Sequence, residues 1–122
     1  MQKRLPDAEF EVMKAVWKSV APMSVNTVAS HMDNDWKIQS VISLMHRLAE
    51  RGFIRTEKIG KERVYSPLVS REDYLKFETG NFVKRYHESS FLGLVTTLYD
   101  NKDLTDKDID ELFQWAKERR KD

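Results

Sequence analysis

The residues best suited to chemistry form a polar stripe along one predicted helix, which runs from about Lys37 to Arg51. At 100° per residue, one side of this helix collects its polar side chains, which are Gln39, Ser40, Ser43, His46, Arg47 and Glu50. Glutamine pairs well with adenine, arginine pairs with guanine or phosphate, and serine can bond to either base. The stripe is therefore suited to reading base edges, although a polar helix face is also commonly just solvated surface.

The other side of the same helix is apolar. It carries Ile38, Val41, Leu44, Met45, Leu48 and Ala49, with Ile42 at the boundary between the two sides. Gly52 follows the helix, in a position that glycine favours just past a helix end. A helix that enters the major groove needs this division, because its back must be held on a core while its front meets DNA.

Two shorter helices are predicted to precede it and to help hold it. The first begins at Pro6 and Asp7, and its apolar face comprises Phe10, Met13, Val16, Trp17 and Val20. The second is capped by Ser24. Residues 53–67 then change to the pattern of two short strands with a tight turn. The order over residues 6–67 is that of a winged helix-turn-helix.

Charge is distributed unevenly although the net charge is only +1. Residues 36–65 carry seven basic and three acidic groups, whereas residues 100–111 carry six acidic groups and two lysines. A basic middle section indicates an anionic partner. Within it, Lys58, Lys61 and Arg63 of the hairpin are expected to touch a DNA backbone beside the groove.

The rest of the chain, residues 70–122, is predicted to be helical and rich in large apolar residues. Ser70 and Thr105 are suited to cap helices there, and Gly80 weakens the middle of the first one. This region could fold back to complete the core of the winged helix, or it could form a symmetric dimer interface, which we favour. The expected interface residues are Tyr74, Phe77, Phe82, Tyr86, Phe91, Leu94, Val95, Leu98, Leu112 and Phe113. We therefore predict a mainly α protein with a small β-hairpin, divided into a DNA-binding domain (1–69) and a helical dimerisation domain (70–122).

Several functional classes find no support in the sequence. The chain has no cysteine, and His31, His46 and His87 are scattered without metal-ligand spacing, so no metal or other cofactor is expected. A glycine-rich phosphate loop is also lacking, and we expect no enzymatic activity. No apolar run is long enough to span a membrane, and the first residues do not form a signal peptide, which indicates a cytoplasmic protein.

The chain resembles the penicillinase-repressor family of transcriptional regulators, which includes BlaI, MecI and CopY. The matching segments are DAEFEVM (7–13) with Trp17, Asp35-Trp36, LMHRLAERGFI (44–54), YSPLV (65–69), SFLGLV (90–95) and LTDKDIDEL (104–112). The resemblance covers essentially the whole chain. It implies a dimeric winged-helix repressor with DNA-contacting positions at Gln39, Ser40, Ile42, Ser43 and Arg47.

Three departures from the family pattern bear on function. Where the family has Ser-Pro-x-Thr at the start of its recognition helix, this chain has Lys37-Ile38-Gln39-Ser40, and Ile42 replaces a polar residue. The operator preference is therefore expected to differ, with Ile42 packing on a thymine methyl group. The β-lactam-responsive members are inactivated by cleavage of an Asn-Phe bond in the tail, whereas the aligned dipeptide here is Thr97-Leu98, which does not support the same proteolytic signal. Copper sensing by a cysteine-rich tail is unsupported.

The function predicted from the sequence is that of a homodimeric repressor of a palindromic double-stranded DNA operator. The resemblance implies that its genes serve β-lactam resistance or a related stress response, and that a sensor protease is a further partner. The alternative is a winged-helix module that binds another protein and no operator. Specific, salt-sensitive DNA binding distinguishes the first from the second.

Overall fold

The structure is a computed structural model that describes residues 4–33 and 35–120. These residues form six helices and a two-stranded antiparallel sheet. In chain order the elements are α1 (Asp7–Lys18), α2 (Val25–Ser30), α3 (Ile38–Glu50), β1 (Ile54–Ile59), β2 (Glu62–Pro67), α4 (Arg71–His87), α5 (Phe91–Asp100) and α6 (Asp106–Arg119). The winged-helix order of the first five is confirmed, and so are the predicted helical elements that follow.

The chain divides into two compact units, Met1–Glu78 and Thr79–Asp122. The division falls inside α4, later than the predicted boundary after residue 69. The reason lies in Tyr74, which is 1% exposed and belongs to the core of the first unit. Phe77 also packs against that core. The first turns of α4 are thus part of the N-terminal unit.

The N-terminal unit has a core built from the facing sides of its helices and the base of its hairpin. Its buried apolar residues are Leu5, Val12, Met13, Ala15, Val16, Met23, Val28, Val41, Leu44, Met45, Leu48, Phe53, Ile54, Tyr65 and Tyr74. Phe10, Trp17 and Trp36 pack against this core at its edge. Burying these side chains is the main term that stabilises the unit, at about 25 cal/mol per Å² of apolar surface removed from water.

Two residues predicted to face this core do not. Val20 is 86% exposed, because α1 ends at Lys18 and Ser19 is already in an extended conformation. Ile38 is 38% exposed in the first turn of α3. Helical periodicity predicts burial only where the helix continues and another element packs against it. Val20 lies beyond the end of α1, and Ile38 lies in the exposed first turn of α3.

Tyr74 ties the start of the chain to α4. Its hydroxyl accepts a hydrogen bond from the Leu5 backbone N–H at 2.7 Å and donates one to Glu78 at 2.9 Å. Its ring packs against those of Phe10 and Phe53, among others. Burial is the main cause that raises the pKa of the Tyr74 hydroxyl above its ordinary value. The hydroxyl therefore stays protonated and serves as a fixed structural link.

The C-terminal unit is stabilised locally by well-formed helix ends. The Ser90 side chain caps α5 by accepting from Gly93 N–H, and Thr105 with Asp108 forms a reciprocal capping box on α6. Hydrogen bonds to the backbone and to the side chain of Thr105 lower the pKa of Asp108. Yet none of residues 79–120 is buried in the single chain. The unit therefore lacks a closed hydrophobic core of its own.

Candidate nucleic-acid interface

α3 separates into a buried and an exposed face, as its sequence predicts. Val41, Leu44, Met45 and Leu48 are buried. The predicted DNA-contacting residues Gln39, Ser40, Ser43 and Arg47 are all exposed, while Ile42 is half-buried. The structure thus brings these five residues onto the outward side of a single helix whose back is anchored in the core.

His46 and Glu50 share this outward side and are both exposed. The helical periodicity placed them with the polar residues, but residue type alone gave no reason to include them among the contacts. Because residues three and four apart are neighbours on a helix, His46 adjoins both Ile42 and Ser43. A ligand that spans the outward side of α3 meets the imidazole at its centre.

The end of α3 is fixed by an ion pair that the sequence did not reveal. The Glu9 side chain, in α1, is 2% exposed, and its Oε1 accepts a hydrogen bond from Arg51 Nε at 2.6 Å. Arg51 caps α3, and just beyond it the N–H of Phe53 donates to the carbonyl oxygen of Leu48. A buried carboxylate requires such a partner. The pair therefore joins α1 to the C-terminal end of the helix that carries the candidate contacts.

The hairpin places Lys58 and Arg63 on one face and both of its glutamates, with Arg55, on the other. Strand register places Lys58 opposite Arg63 and Thr56 opposite Tyr65. Since successive side chains alternate, these four residues share one face, and Tyr65 is buried at its base. The guanidinium of Arg63 donates to the Thr56 hydroxyl at 3.0 Å.

The exposed end of this face is wholly basic. Glu57 and Glu62 point to the other face of the hairpin by the same alternation. Lys61 lies in the turn beside Gly60, whose φ of +65° is a conformation that glycine readily adopts. Among the described residues, no carboxylate forms an ion pair with Lys58, Lys61 or Arg63. These three cations, exposed together, are available to an external anion.

The predicted dimer-interface residues fall into two groups. The prediction is wrong for Tyr74 and Phe77. Tyr74 lies in the core of the N-terminal unit and Phe77 packs against that core. The others all lie in the C-terminal unit. Phe82, Tyr86, Phe91 and Phe113 are exposed there, whereas Leu94, Val95, Leu98 and Leu112 are half-buried. Leu92 and Trp115, which the prediction omitted, add further exposed apolar surface.

Other features of the described residues concern metal binding, a surface depression and a membrane span. The described residues contain no group of three or more His, Asp or Glu side chains placed to hold a metal ion. A shallow depression in the C-terminal unit lies beside Tyr99, whose hydroxyl donates to Asp106 at 2.7 Å. That hydrogen bond is the main cause that raises the pKa of Tyr99. Within the described ranges, no helix has the length and apolar character needed to cross a membrane.

Together, the helix order, the hairpin and the exposed polar face of α3 define a winged helix-turn-helix protein. Comparison with known proteins identifies it further: the "Penicillinase repressor" family profile matches residues 5–118. The chain belongs to the penicillinase repressor family. This membership confirms the resemblance seen in the sequence, and it places the chain among repressors rather than enzymes.

Individual relatives agree with this assignment. The penicillinase repressor of Bacillus licheniformis is 28% identical over 97% of this chain and 95% of its own length. The methicillin resistance regulatory protein MecI of Staphylococcus aureus is 31% identical over 88% of this chain and 89% of its own. The solution structure of the DNA-binding domain of the repressor BlaI covers 61% of this chain and 94% of the domain, with 31% identity and a TM-score of 0.50.

Proposed function

We propose that this protein is a homodimeric transcriptional repressor that binds a palindromic double-stranded DNA operator. The observation that carries the proposal is the outward side of α3. There Gln39, Ser43 and Arg47 lie exposed on a helix whose opposite side is buried, within a fold similar to the DNA-binding domain of BlaI. These side-chain types are those that hydrogen-bond to base edges in the major groove.

Two basic side chains of the hairpin lie close together in the free protein, and this arrangement favours binding of an anion. Lys58 and Arg63 lie directly opposite each other, and like charges in that relation repel. A phosphate group placed between them would remove the repulsion and add charge-assisted hydrogen bonds. We therefore propose that Lys58, Lys61 and Arg63 bind the DNA backbone beside the groove that α3 enters.

Dimerisation is supported by the composition of the C-terminal surface. Phe91 is 59% and Phe113 71% exposed in the single chain, in a unit where no described residue is buried. Large apolar side chains left this exposed, in a unit that buries none, favour an association site. A second copy of the chain is the simplest partner, since a two-fold symmetric dimer presents two equivalent recognition helices to the two half-sites of a palindrome.

The regulated genes and the inducing signal are proposed from the relatives. Their names concern penicillinase and methicillin resistance, and we extend to this chain the regulation of β-lactam-resistance or related stress genes. A sensor protease remains a proposed partner. The Thr97–Leu98 bond, however, lies inside α5, where the Thr97 hydroxyl donates to the Gly93 carbonyl. Cleavage at that bond would require α5 to unwind first.

A repressor must share the compartment of its DNA, so we propose a cytoplasmic location.

Fluorescence anisotropy tests the proposal with the full chain. The labelled probes are duplexes from the promoter of its own gene and a scrambled duplex of equal length and composition, titrated at several salt concentrations. A repressor binds the promoter preferentially, and its affinity falls steeply as salt rises, because the bound cations displace counterions from phosphates. Equal, weak binding to both duplexes would contradict operator recognition and favour the alternative of a protein-binding module.

A further inference from the structure

We propose that α3 recognises thymine methyl groups through Ile38 together with Ile42. The inference rests on the proposed function and names the operator feature that this particular chain selects. Ile38 is 38% exposed in the first turn of α3, and Ile42, one turn later, is half-buried at the edge of the outward side. The two form an apolar strip along the boundary between the buried side of α3 and its polar outward side.

The charge pattern along α3 limits what this part of the helix can contact. Residues 38–43 carry no charged side chain, and the arginine and lysine nearest to them are Lys37, which precedes the helix, and Arg47. Contacts to phosphates depend chiefly on such cations and carry no sequence information directly. The first residues of a recognition helix are those that reach base edges. The start of α3 is therefore equipped to read bases through apolar contact and neutral hydrogen bonds.

The major groove has one apolar feature that matches such a strip, the C5-methyl group of thymine. Four residues along a helix correspond to a rise of about 6 Å, while successive bases of one strand are about 3.4 Å apart. Ile38 and Ile42 can thus meet methyl groups about two steps apart. Gln39, exposed beside them, is suited to adenine. We expect each half-site to contain A·T pairs where this strip docks.

The test begins with duplexes that the full-length protein itself selects from a random-sequence pool. Each thymine of the selected half-site is then replaced by deoxyuridine, which removes the methyl group and leaves base pairing intact. For the unmodified protein, we expect one or two positions at which the replacement weakens binding about fourfold, the factor that corresponds to one buried methyl carbon. Replacement in both half-sites multiplies the loss to about sixteenfold.

Protein variants connect the effect to the two isoleucines. Ile38→Ala and Ile42→Ala should each abolish the sensitivity to deoxyuridine at their own thymine, because the contact is already lost. Val20→Ala is the matched control, since Val20 is an exposed aliphatic residue that lies outside α3. It should keep the full sensitivity. Circular dichroism establishes that each variant is folded. The deoxyuridine measurements on the unmodified protein test the inference without any variant.

The outcomes separate this inference from the proposed function. If the protein selects no preferred duplex, both the proposed function and this inference are overturned. If it binds a preferred duplex but tolerates deoxyuridine at every thymine, only the inference is overturned. Sensitivity that persists unchanged in both isoleucine variants would also overturn it, because another side chain would then contact the methyl group.

Discussion

Glu9 and Arg51 are 42 positions apart in the chain, yet the carboxylate of one accepts two hydrogen bonds from the guanidinium of the other, at 2.6 and 3.5 Å. Glu9 is buried, whereas the Arg51 side chain is 40% exposed. The pair connects α1 to the residue that ends α3. Its loss therefore affects both stability and the placement of the recognition helix.

We predict that Arg51→Met destabilises the protein by about 1–3 kcal/mol, because it leaves a buried carboxylate without its partner. Solvent reaching the exposed side of Arg51 keeps the effect below that of a fully buried pair. Urea unfolding measures the loss. Arg71→Met, at an exposed position of α4, should change the free energy of unfolding by less than about 0.5 kcal/mol. The double variant Glu9→Leu/Arg51→Met should recover much of the loss, and equal destabilisation by Arg51→Met and Arg71→Met would contradict the role of the pair.

Tyr74→Phe should also destabilise the N-terminal unit by about 1–3 kcal/mol, since the Leu5 N–H is left buried without an acceptor. The ring and its aromatic contacts remain, so the change isolates the hydroxyl. Tyr99→Phe is the control, because it removes a hydroxyl whose hydrogen bond to Asp106 lies at the surface. Chemical denaturation of both variants decides the matter. Indistinguishable midpoints would show that the hydroxyl does not contribute to stability.

The two classes of candidate DNA contact are expected to differ in their response to salt. Arg47→Ala should cost about 1–3 kcal/mol of operator binding and relax the preference at one base pair, if the guanidinium contacts guanine. Lys58→Ala should weaken binding to all duplexes alike and reduce the salt slope by about 1, as expected for a lost phosphate contact. Lys117→Ala, the same charge change in α6, serves as the control. Anisotropy titrations against salt measure all three, and an unaltered slope for Lys58→Ala would contradict the backbone contact.

Introducing a charge into the exposed apolar surface of the C-terminal unit should dissociate the dimer. In Phe113→Glu a carboxylate would have to be buried at the interface, which is unfavourable without a partner. Sedimentation equilibrium should then show a monomer, whereas Thr96→Glu, an exposed polar position of α5, tests the effect of charge alone. A stable Phe113→Glu dimer would exclude this residue from the interface. Affinity for a single half-site should be nearly unchanged, because each half-site is bound by one N-terminal unit.

The capping box of α6 is expected to weaken in acid. Asp108 has a lowered pKa because it accepts the Thr105 N–H, so its stabilising contribution is complete above the ordinary aspartate pKa of about 3.9 and is lost as the pH falls through the lower, folded-state value. Asp108→Asn retains an acceptor but does not titrate. Helicity followed by circular dichroism between about pH 5 and 2 should therefore depend less on pH in this variant. Identical acid profiles would contradict the contribution of Asp108.

Much of the fold could be predicted from the sequence because it depends on local interactions. Ser24 and Thr105 cap α2 and α6 as their positions indicated, and Gly52 has the positive φ of +82° expected just past a helix end. The two faces of α3 follow from 3.6-residue periodicity. The polar contacts predicted on α3 and the hairpin are accordingly all at the surface.

Other features required the tertiary structure, because they depend on which distant segments meet. Nothing near Glu9 in the sequence indicates that it is buried, since its partner Arg51 comes from another helix. Tyr74 looked like an interface residue until packing placed it in the core of the N-terminal unit. Strand register alone set Lys58 opposite Arg63. Periodicity thus determined which side of each element is apolar. Only packing decided what that side covers. Packing also decided which apolar residues, such as Ile38, remain exposed to a partner.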